Sequence, residues 1–305
     1  MTAQLSPQRW ANTLTALLNT VFGEGPDRFP VKVPQLAKDF SHQRYGDDPV
    51  TLVKGGPLPG FEGALYRAPA GKKGWGIIYN NTITSPGRIN FTLAHEFGHY
   101  LLHREAYPEG LECGPQDMVR WDSEYAQIEQ QANEFAATLL MPLDDFRRQI
   151  DSKSKPTLDD IGACAERYQV SLIAATLRWL QYTARRSVLV VSRDGFILWA
   201  RLSPSALRTG AYFKTGNRPP IPIPDGSLPS QPNLLESNKG SISHDTGVWF
   251  REPCDEVALI SDQYDFAISL LHLGDAISRW EFDEETEEDT LDRMNRRIMG
   301  SSWFE

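Results

Sequence analysis

The chain has 305 residues, of which 40% are apolar and 23% are charged, and these values predict a globular protein of two or three domains. No run approaches about 18 apolar residues, and the three cysteines form no CxxC pair, so the sequence excludes a transmembrane helix and a cysteine zinc site. Because the N-terminus also lacks a secretory pattern, the sequence predicts a cytoplasmic protein without membrane association. The net charge of −9 gives no support to a general nucleic-acid binder, which needs a basic surface.

Helical and strand-like patterns alternate over the first half of the chain. Apolar residues three or four apart predict helices, whereas short apolar runs between Gly/Pro-rich turns predict strands. Ser85-Pro86 is typical of a helix start, because Ser caps the helix and Pro loses no hydrogen bond at the first position. The predicted elements are helices over 6–22, 33–40, 86–104, 122–140 and 143–150, strands over 61–67 and 74–80, and a turn at 55–60.

After a polar linker at 151–156, two short helices that begin at Thr157 and Ser171 predict a helix-turn-helix-like pair. From residue 187 the apolar residues alternate with period two, so we expect a mainly β region. Its predicted elements are a hairpin of 187–192 and 196–201, an extended proline-rich segment at 216–232, strands at 247–251 and 256–261, and a solvated acidic face or tail at 281–289, where seven of nine residues are carboxylates.

Residues 95–99 read His-Glu-Phe-Gly-His inside the predicted helix at 86–104. Side chains four residues apart lie on one face of a helix, so His95 and His99 can bind one metal ion. Glu96 lies about 100° further round the helix, where its carboxylate can reach a water molecule beside that ion. The motif therefore predicts two metal ligands and a catalytic general base.

The rest of this helix indicates a buried site. Thr92, His95, Glu96, His99 and His103 fall on one narrow polar strip, and the other positions are nearly all apolar. A surface helix would carry a wider polar face. The pattern therefore favours a helix that lines an interior site.

A catalytic zinc site needs a third protein ligand, and the predicted helix at 122–140 offers carboxylates. Glu129 shares its face with several alanines, which allow close helix packing, and with Asn133, which can hold a ligand through a hydrogen bond. Glu134 lies about 140° away from Glu129, towards solvent. The geometry of the helix favours Glu129 as the third ligand.

The expected ion is Zn²⁺, although two imidazoles and a carboxylate also suit Mn²⁺ or iron. Candidate donors to the oxyanion of the transition state are His103, Tyr107 and Tyr125, with closure of the helix C-terminus as the alternative role of His103. The strand at 74–80 (WGIIYN) is a candidate edge strand that pairs with an extended substrate, with plain core packing as its alternative.

The runs FTLAHEFGHYLLH and EQQANEFAATLLMP, followed by the helix pair, resemble the ImmA/IrrE family of metallo-endopeptidases over about residues 60–183. The resemblance implies a minimal zincin-like, gluzincin-like fold with Glu129 as third ligand. It also implies the substrate, a helix-turn-helix (XRE-type) transcriptional repressor, whose cleavage relieves repression in a stress or DNA-damage response or in mobile-element control. The layout resembles the radiation-response branch, in which a GAF-like C-terminal domain acts as a sensor.

Together these features predict an α+β protein in three parts. They are a zincin-like metallopeptidase domain with a small antiparallel or mixed sheet (1–152), a helix-turn-helix-like segment (153–185), and a mainly β, GAF-like C-terminal domain with an acidic tail that binds an unknown sensor ligand or a partner (186–305). Two alternatives remain: a DNA-binding regulator with a vestigial metal site, disfavoured because few basic residues lie at 157–186, and a toxin paired with an antitoxin.

Overall fold

The computed structural model describes residues 5–23, 25–113, 124–213, 219–261 and 265–275. Among these residues, no helix is both long and apolar enough to cross a membrane. The helices are α1 (Pro7–Phe22), α2 (Val33–Arg44), α3 (Pro86–His103), α4 (Glu124–Leu140), α5 (Leu143–Gln149), α6 (Leu158–Tyr168), α7 (Leu172–Tyr182) and α8 (Pro204–Arg208). The strands are β1 (Val50–Gly56), β2 (Gly63–Arg67), β3 (Trp75–Asn80), β4 (Gly110–Cys113), β5 (Ser187–Arg193), β6 (Phe196–Leu202), β7 (Ile221–Pro222), β8 (Lys239–His244), β9 (Cys254–Ser261) and β10 (Phe266–Leu273).

A four-stranded mixed sheet in the order β1-β3-β2-β4 packs against α3. β1 is parallel to β3, whereas β2 is antiparallel to both β3 and β4. The sequence predicted β2 and β3 but not β1 or β4, and the last two residues of β1, Gly55 and Gly56, fall in the predicted turn at 55–60. Because β3 is paired along both sides, the interpretation of 74–80 as an edge strand was wrong.

α3 is buried along most of its length, as its pattern predicted. Ser85 caps it by accepting a hydrogen bond from the backbone N–H of Arg88, and Pro86 occupies the first position. Every residue from Thr92 to His103 is buried between the sheet and the neighbouring helices. The polar strip of α3 therefore lies inside the protein.

α3 and α4 pack closely because Gly98 has no side chain. A Cβ at Gly98 would lie 2.9 Å from a ring carbon of Phe135 and 3.3 Å from the Cα of Ala132. Ala132 and Ala136 are fully buried on the facing side of α4. The small residues that the sequence placed on the Glu129 face do bring α4 close to α3.

α6 and α7 form the predicted pair of short helices. Thr157 and Asp160 form a capping box at the start of α6, and Gln169 ends it with a left-handed φ of 51°. Within α7, which the structure describes in full, Gln181 is the one exposed residue.

The second sheet has six antiparallel strands in the order β7-β6-β5-β10-β9-β8. β5 and β6 form the predicted hairpin, in which Asp194 and Gly195 both have positive φ, as a tight type I′ turn requires. The predicted strand at 247–251 was wrong, because the chain turns there and Gly247 has a φ of 99°. β8 and β10 were not predicted. The acidic run at 281–289 lies outside the described residues.

One apolar cluster extends through most of the described chain. It includes Trp10 of α1, Leu93 of α3, Trp179 of α7 and Leu270 of β10. Packing is therefore continuous from the first helix to the last strand. The proposed division at residues 152/153 and 185/186 stays a prediction.

Candidate metal centre

Three side chains converge where α3 and α4 pack together. The Nε2 atoms of His95 and His99 lie 2.9 Å apart. The carboxylate of Glu129 lies 3.2 Å from each of these nitrogens, with one oxygen facing each ring. His95 and His99 are buried and Glu129 is nearly so. The structure thus brings together the three residues that the sequence predicted as metal ligands.

The far side of each imidazole is held by a hydrogen bond. Nδ1 of His95 lies 3.0 Å from Oδ1 of Asn133, and Nδ1 of His99 lies 2.9 Å from Nδ1 of His103. An amide oxygen only accepts, so Nδ1–H of His95 donates to Asn133 and leaves the Nε2 lone pair free for a metal. Asn133 thus contacts the imidazole of the first candidate ligand, and its role in orienting that ring stays a prediction.

The charges of the three groups depend on one another. Burial lowers the pKa of His99 to about 4, with help from His95 and His103. Burial opposes ionisation of His95 too, but the hydrogen bond and charge of Glu129 and the charge of Glu96 raise its pKa above the ordinary value. Burial favours the neutral form of Glu129, yet its contacts with the imidazoles of His95 and His99 hold its pKa well below the usual range. The surroundings therefore favour the anion of Glu129 and the cation of His95, and they disfavour the cation of His99.

A metal ion fits this donor set. Two ligand atoms at the usual zinc distance of about 2.0–2.1 Å, seen at a tetrahedral angle, lie about 3.3 Å apart. The separations of 2.9–3.2 Å between the ligand atoms of His95, His99 and Glu129 are close to that value. Two imidazoles with one carboxylate leave a fourth position open, which is typical of catalytic rather than structural zinc sites. The ion itself is not identified by this geometry.

Glu96 lies on α3 next to His95 and is fully buried. Its charge acts on the neighbouring imidazole and raises the pKa of His95. The first residue of β2, Gly63, makes room for the carboxylate, because a Cβ there would lie 2.6 Å from Oε1 of Glu96 and 2.5 Å from the γ-methyl of Thr92. Glu96 is thus enclosed between α3 and β2 at the edge of the candidate metal site.

Three other residues that the sequence singled out, His103, Tyr125 and Glu134, lie outside the group of three candidate ligands. Both ring nitrogens of His103 have partners, since Nδ1 contacts His99 and Nε2 lies 3.0 Å from Oε1 of Gln131. Tyr125 is half-buried at the start of α4, and its predicted role as an oxyanion donor stays a prediction. Glu134, the rival third ligand, is exposed and contacts Gln8. The helical geometry that favoured Glu129 over Glu134 thus agrees with their positions.

Sequence reasoning missed two residues at this site. Gln131 was not singled out, because a polar residue two places after Glu129 reads as an ordinary surface position. Gly63 was not singled out either, although a glycine at the start of a strand can indicate close approach of another chain segment. Both are identified only by contacts across elements distant in sequence.

Two comparisons with known proteins bear on the site. Residues 53–180 match a family model described as the IrrE N-terminal-like domain, Peptidase_M78. The matched range runs from β1 into α7 and contains the three candidate ligands and Glu96. No curated protein matches the chain significantly.

Proposed function

We propose that the protein is a metal-dependent endopeptidase, since residues 53–180 are an IrrE N-terminal-like domain of the Peptidase_M78 (ImmA/IrrE) family. The observation that carries the proposal is the convergence of His95, His99 and Glu129 inside the matched range, with ligand atoms within 4.8 Å of one another. Glu96 completes the set of groups that peptide hydrolysis needs.

The chemistry divides between the ion and the side chains. A divalent ion such as Zn²⁺, held by His95, His99 and Glu129, supplies Lewis-acid activation of water and of the peptide carbonyl. Glu96 accepts the proton of the attacking water and returns it to the leaving nitrogen. Enclosure by β2 limits the movement of its carboxylate. Asn133 holds the His95 ring in the orientation that presents Nε2.

Of the three candidate oxyanion donors, His103, Tyr107 and Tyr125, we retain Tyr125. It lies four residues before Glu129 and so shares the face of α4 that carries the third ligand. The phenol can donate a hydrogen bond to a developing oxyanion. His103 is less suited to this task, since both its nitrogens contact other side chains.

The proposed substrate is a helix-turn-helix transcriptional repressor, and its cleavage would relieve repression in a stress response or in mobile-element control. The support is the resemblance to the ImmA/IrrE family noted in the sequence and the match of residues 53–180. By the same resemblance, we propose that the six-stranded antiparallel sheet is a GAF-like sensor domain. The zincin-like description of the first sheet and its helices is part of the same proposal.

The test is cleavage of a helix-turn-helix repressor, chosen from the genes that adjoin the one encoding this chain. The purified protein is incubated with that repressor, with and without a chelator, and the products are analysed by gel and mass spectrometry. We expect one chelator-sensitive cut that returns when Zn²⁺ or Mn²⁺ is added.

Glu129→Ala should remove both metal binding and cleavage, whereas the matched control Glu134→Ala should keep both. Chelator-resistant cleavage, or equal metal content in the two variants, would overturn the assignment of the site. Binding of the repressor without cleavage would favour a regulatory protein over an enzyme.

A further inference from the structure

A chain of three polar side chains extends from the metal site to the outer face of α4. Nδ1 of His99 lies 2.9 Å from Nδ1 of His103, and Nε2 of His103 lies 3.0 Å from Oε1 of Gln131. His99 is fully buried and His103 is 5% exposed, whereas Gln131 is exposed. The chain thus begins at a ligand and ends at an amide on the neighbouring helix.

The amide oxygen of Gln131 sets the direction of every hydrogen bond in this chain. Because Oε1 only accepts, Nε2 of His103 must carry the proton and donate it. Nδ1 of a neutral His103 is then an acceptor, so Nδ1–H of His99 donates to it. That arrangement leaves the lone pair of His99 on Nε2, the atom that faces Glu129.

We propose that Gln131 and His103 are positioning residues that select the metal-binding tautomer of His99. In the reverse direction, His103 would donate from Nδ1 to His99, and the proton of His99 would move to Nε2. That proton would block the lone pair that a metal needs. This relay, the hydrogen-bonded chain of Gln131, His103 and His99, therefore keeps the proton of His99 on Nδ1. The single contact with Asn133 has the same effect on His95.

The relay matters because His99 is buried and cannot use water as a hydrogen-bond acceptor. An Nδ1–H of His99 without an acceptor would be a buried unsatisfied donor, which is costly in a ring with no exposure to water. The acceptor therefore has to come from the protein, and Nδ1 of His103 lies within hydrogen-bond distance. Loss of a hydrogen-bond partner behind a metal ligand typically weakens metal binding about 10–100-fold.

This inference rests on the proposed metal site, and metal affinity tests it without any assay of cleavage. The probe is Zn²⁺, titrated into the full-length protein in competition with a chromophoric chelator. We expect Gln131→Met and His103→Phe to bind Zn²⁺ about 10–100-fold more weakly than the wild type. Gln130→Met, a change at the adjacent exposed glutamine of α4, should bind as the wild type does.

A rescue variant separates positioning from packing. In His103→Asn, the amide Oδ1 takes the place of the histidine Nδ1 and restores an acceptor for His99. We expect this variant to recover most of the affinity that His103→Phe loses. Thermal unfolding of the metal-free proteins shows whether each variant is folded before its affinity is compared.

The outcomes separate the two proposals. If the wild type binds no Zn²⁺, the proposed metal site fails. If the wild type binds Zn²⁺ and folded His103→Phe and Gln131→Met bind it equally well, the relay alone is overturned. If His103→Asn is as weak as His103→Phe, the acceptor role is overturned.

Discussion

Oδ1 of Asn133 lies 3.0 Å from Nδ1 of His95. Asn133 follows Glu129 by four residues, so one face of α4 carries both the third candidate ligand and a side chain that contacts the first. Through this contact, the position of α4 affects which ring nitrogen of His95 on α3 carries the proton. α4 therefore contributes two side chains, Glu129 and Asn133, to the candidate metal site.

Replacing Asn133 should therefore weaken metal binding. We expect Asn133→Leu to lower Zn²⁺ affinity about 10-fold, because Nδ1–H of His95 loses its acceptor. Asn133→Asp keeps an acceptor and should retain the affinity. Competition titration measures both, with Gln127→Leu at an exposed position of α4 as the control. Equal affinity of Asn133→Leu and the wild type would contradict the orienting role.

Glu96→Gln should separate chemistry from metal binding. The amide cannot accept a proton from water, so we expect cleavage to fall about 10²–10⁴-fold while Zn²⁺ content stays at the wild-type level. The measurement is the cleavage rate beside metal analysis of the same sample. Glu105→Gln, at an exposed residue just after α3, is the matched control. Cleavage at the wild-type rate would remove Glu96 from its role.

Gly63→Ala, a change on β2, should displace the carboxylate of Glu96. The new methyl group would meet Oε1 of Glu96 at 2.6 Å, so the carboxylate has to move. We expect kcat to fall at least about 10-fold with little change in Zn²⁺ affinity. Gly76→Ala on β3 meets its nearest neighbour, Leu52, at an ordinary 3.8 Å and serves as the control. An unchanged kcat in Gly63→Ala would show that Glu96 tolerates this displacement.

Gly98→Ala should push α4 away from α3. The added methyl group would lie 2.9 Å from the ring of Phe135, and we expect a loss of about 1–3 kcal/mol in the free energy of unfolding. Because Glu129 moves with α4, Zn²⁺ affinity should fall as well.

The control for this change is Gly162→Ala in α6, where a Cβ meets nothing within 4 Å. Alanine should stabilise that helix by about 0.5–1 kcal/mol. Urea unfolding of the metal-free proteins measures both effects. A Gly98→Ala protein as stable as the wild type would mean that α4 repacks at no cost.

Because of the buried imidazole of His272, we expect the free energy of unfolding to fall in acid. Burial, with the charges of Lys155 and Arg185, lowers its pKa to about 4 from 6.5. The unfolded chain therefore binds the proton first, so stability present above pH 6.5 is lost as the pH falls towards 4. The expected contribution is a loss of about 2 kcal/mol between pH 7.5 and pH 5.

The measurement is urea unfolding of the wild type and His272→Gln across this range. Glutamine can still donate to the carbonyl of Pro156, to which Nε2 of His272 lies at 3.2 Å. The variant should lose the pH dependence that His272 supplies, whereas His42→Gln, at an exposed position of α2, should keep it. Parallel pH profiles for the wild type and His272→Gln would contradict the assignment.

The sequence predicted the geometry that repeats along a single helix. His95 and His99 are one turn apart, and Glu129 was distinguished from Glu134 by its face alone, so helical periodicity was enough. Contacts between segments distant in sequence were not predictable in this way. Gln131 meets His103 across 28 residues, and no local pattern indicates such a pair.

The missed strands have a similar cause. β10 is buried on both faces, and its sequence FAISLLHL lacks the alternation that identifies a half-exposed strand. β1 ends in the glycines at 55 and 56, which read as a turn, although its pairing with β3 extends through both. At 247–251, apolar side chains in a turn gave a false strand pattern.

The burial of α3 has a consequence for how the protein can change over time. The backbone amides from Thr92 to His103 are enclosed, so we expect them to exchange with deuterium only when the whole packing opens. The segment that carries His95 and His99 is then also among the last parts of the protein to unfold. Substitutions that change the volume or polarity of a side chain in this segment are therefore expected to alter the stability of the fold as well as the candidate metal site.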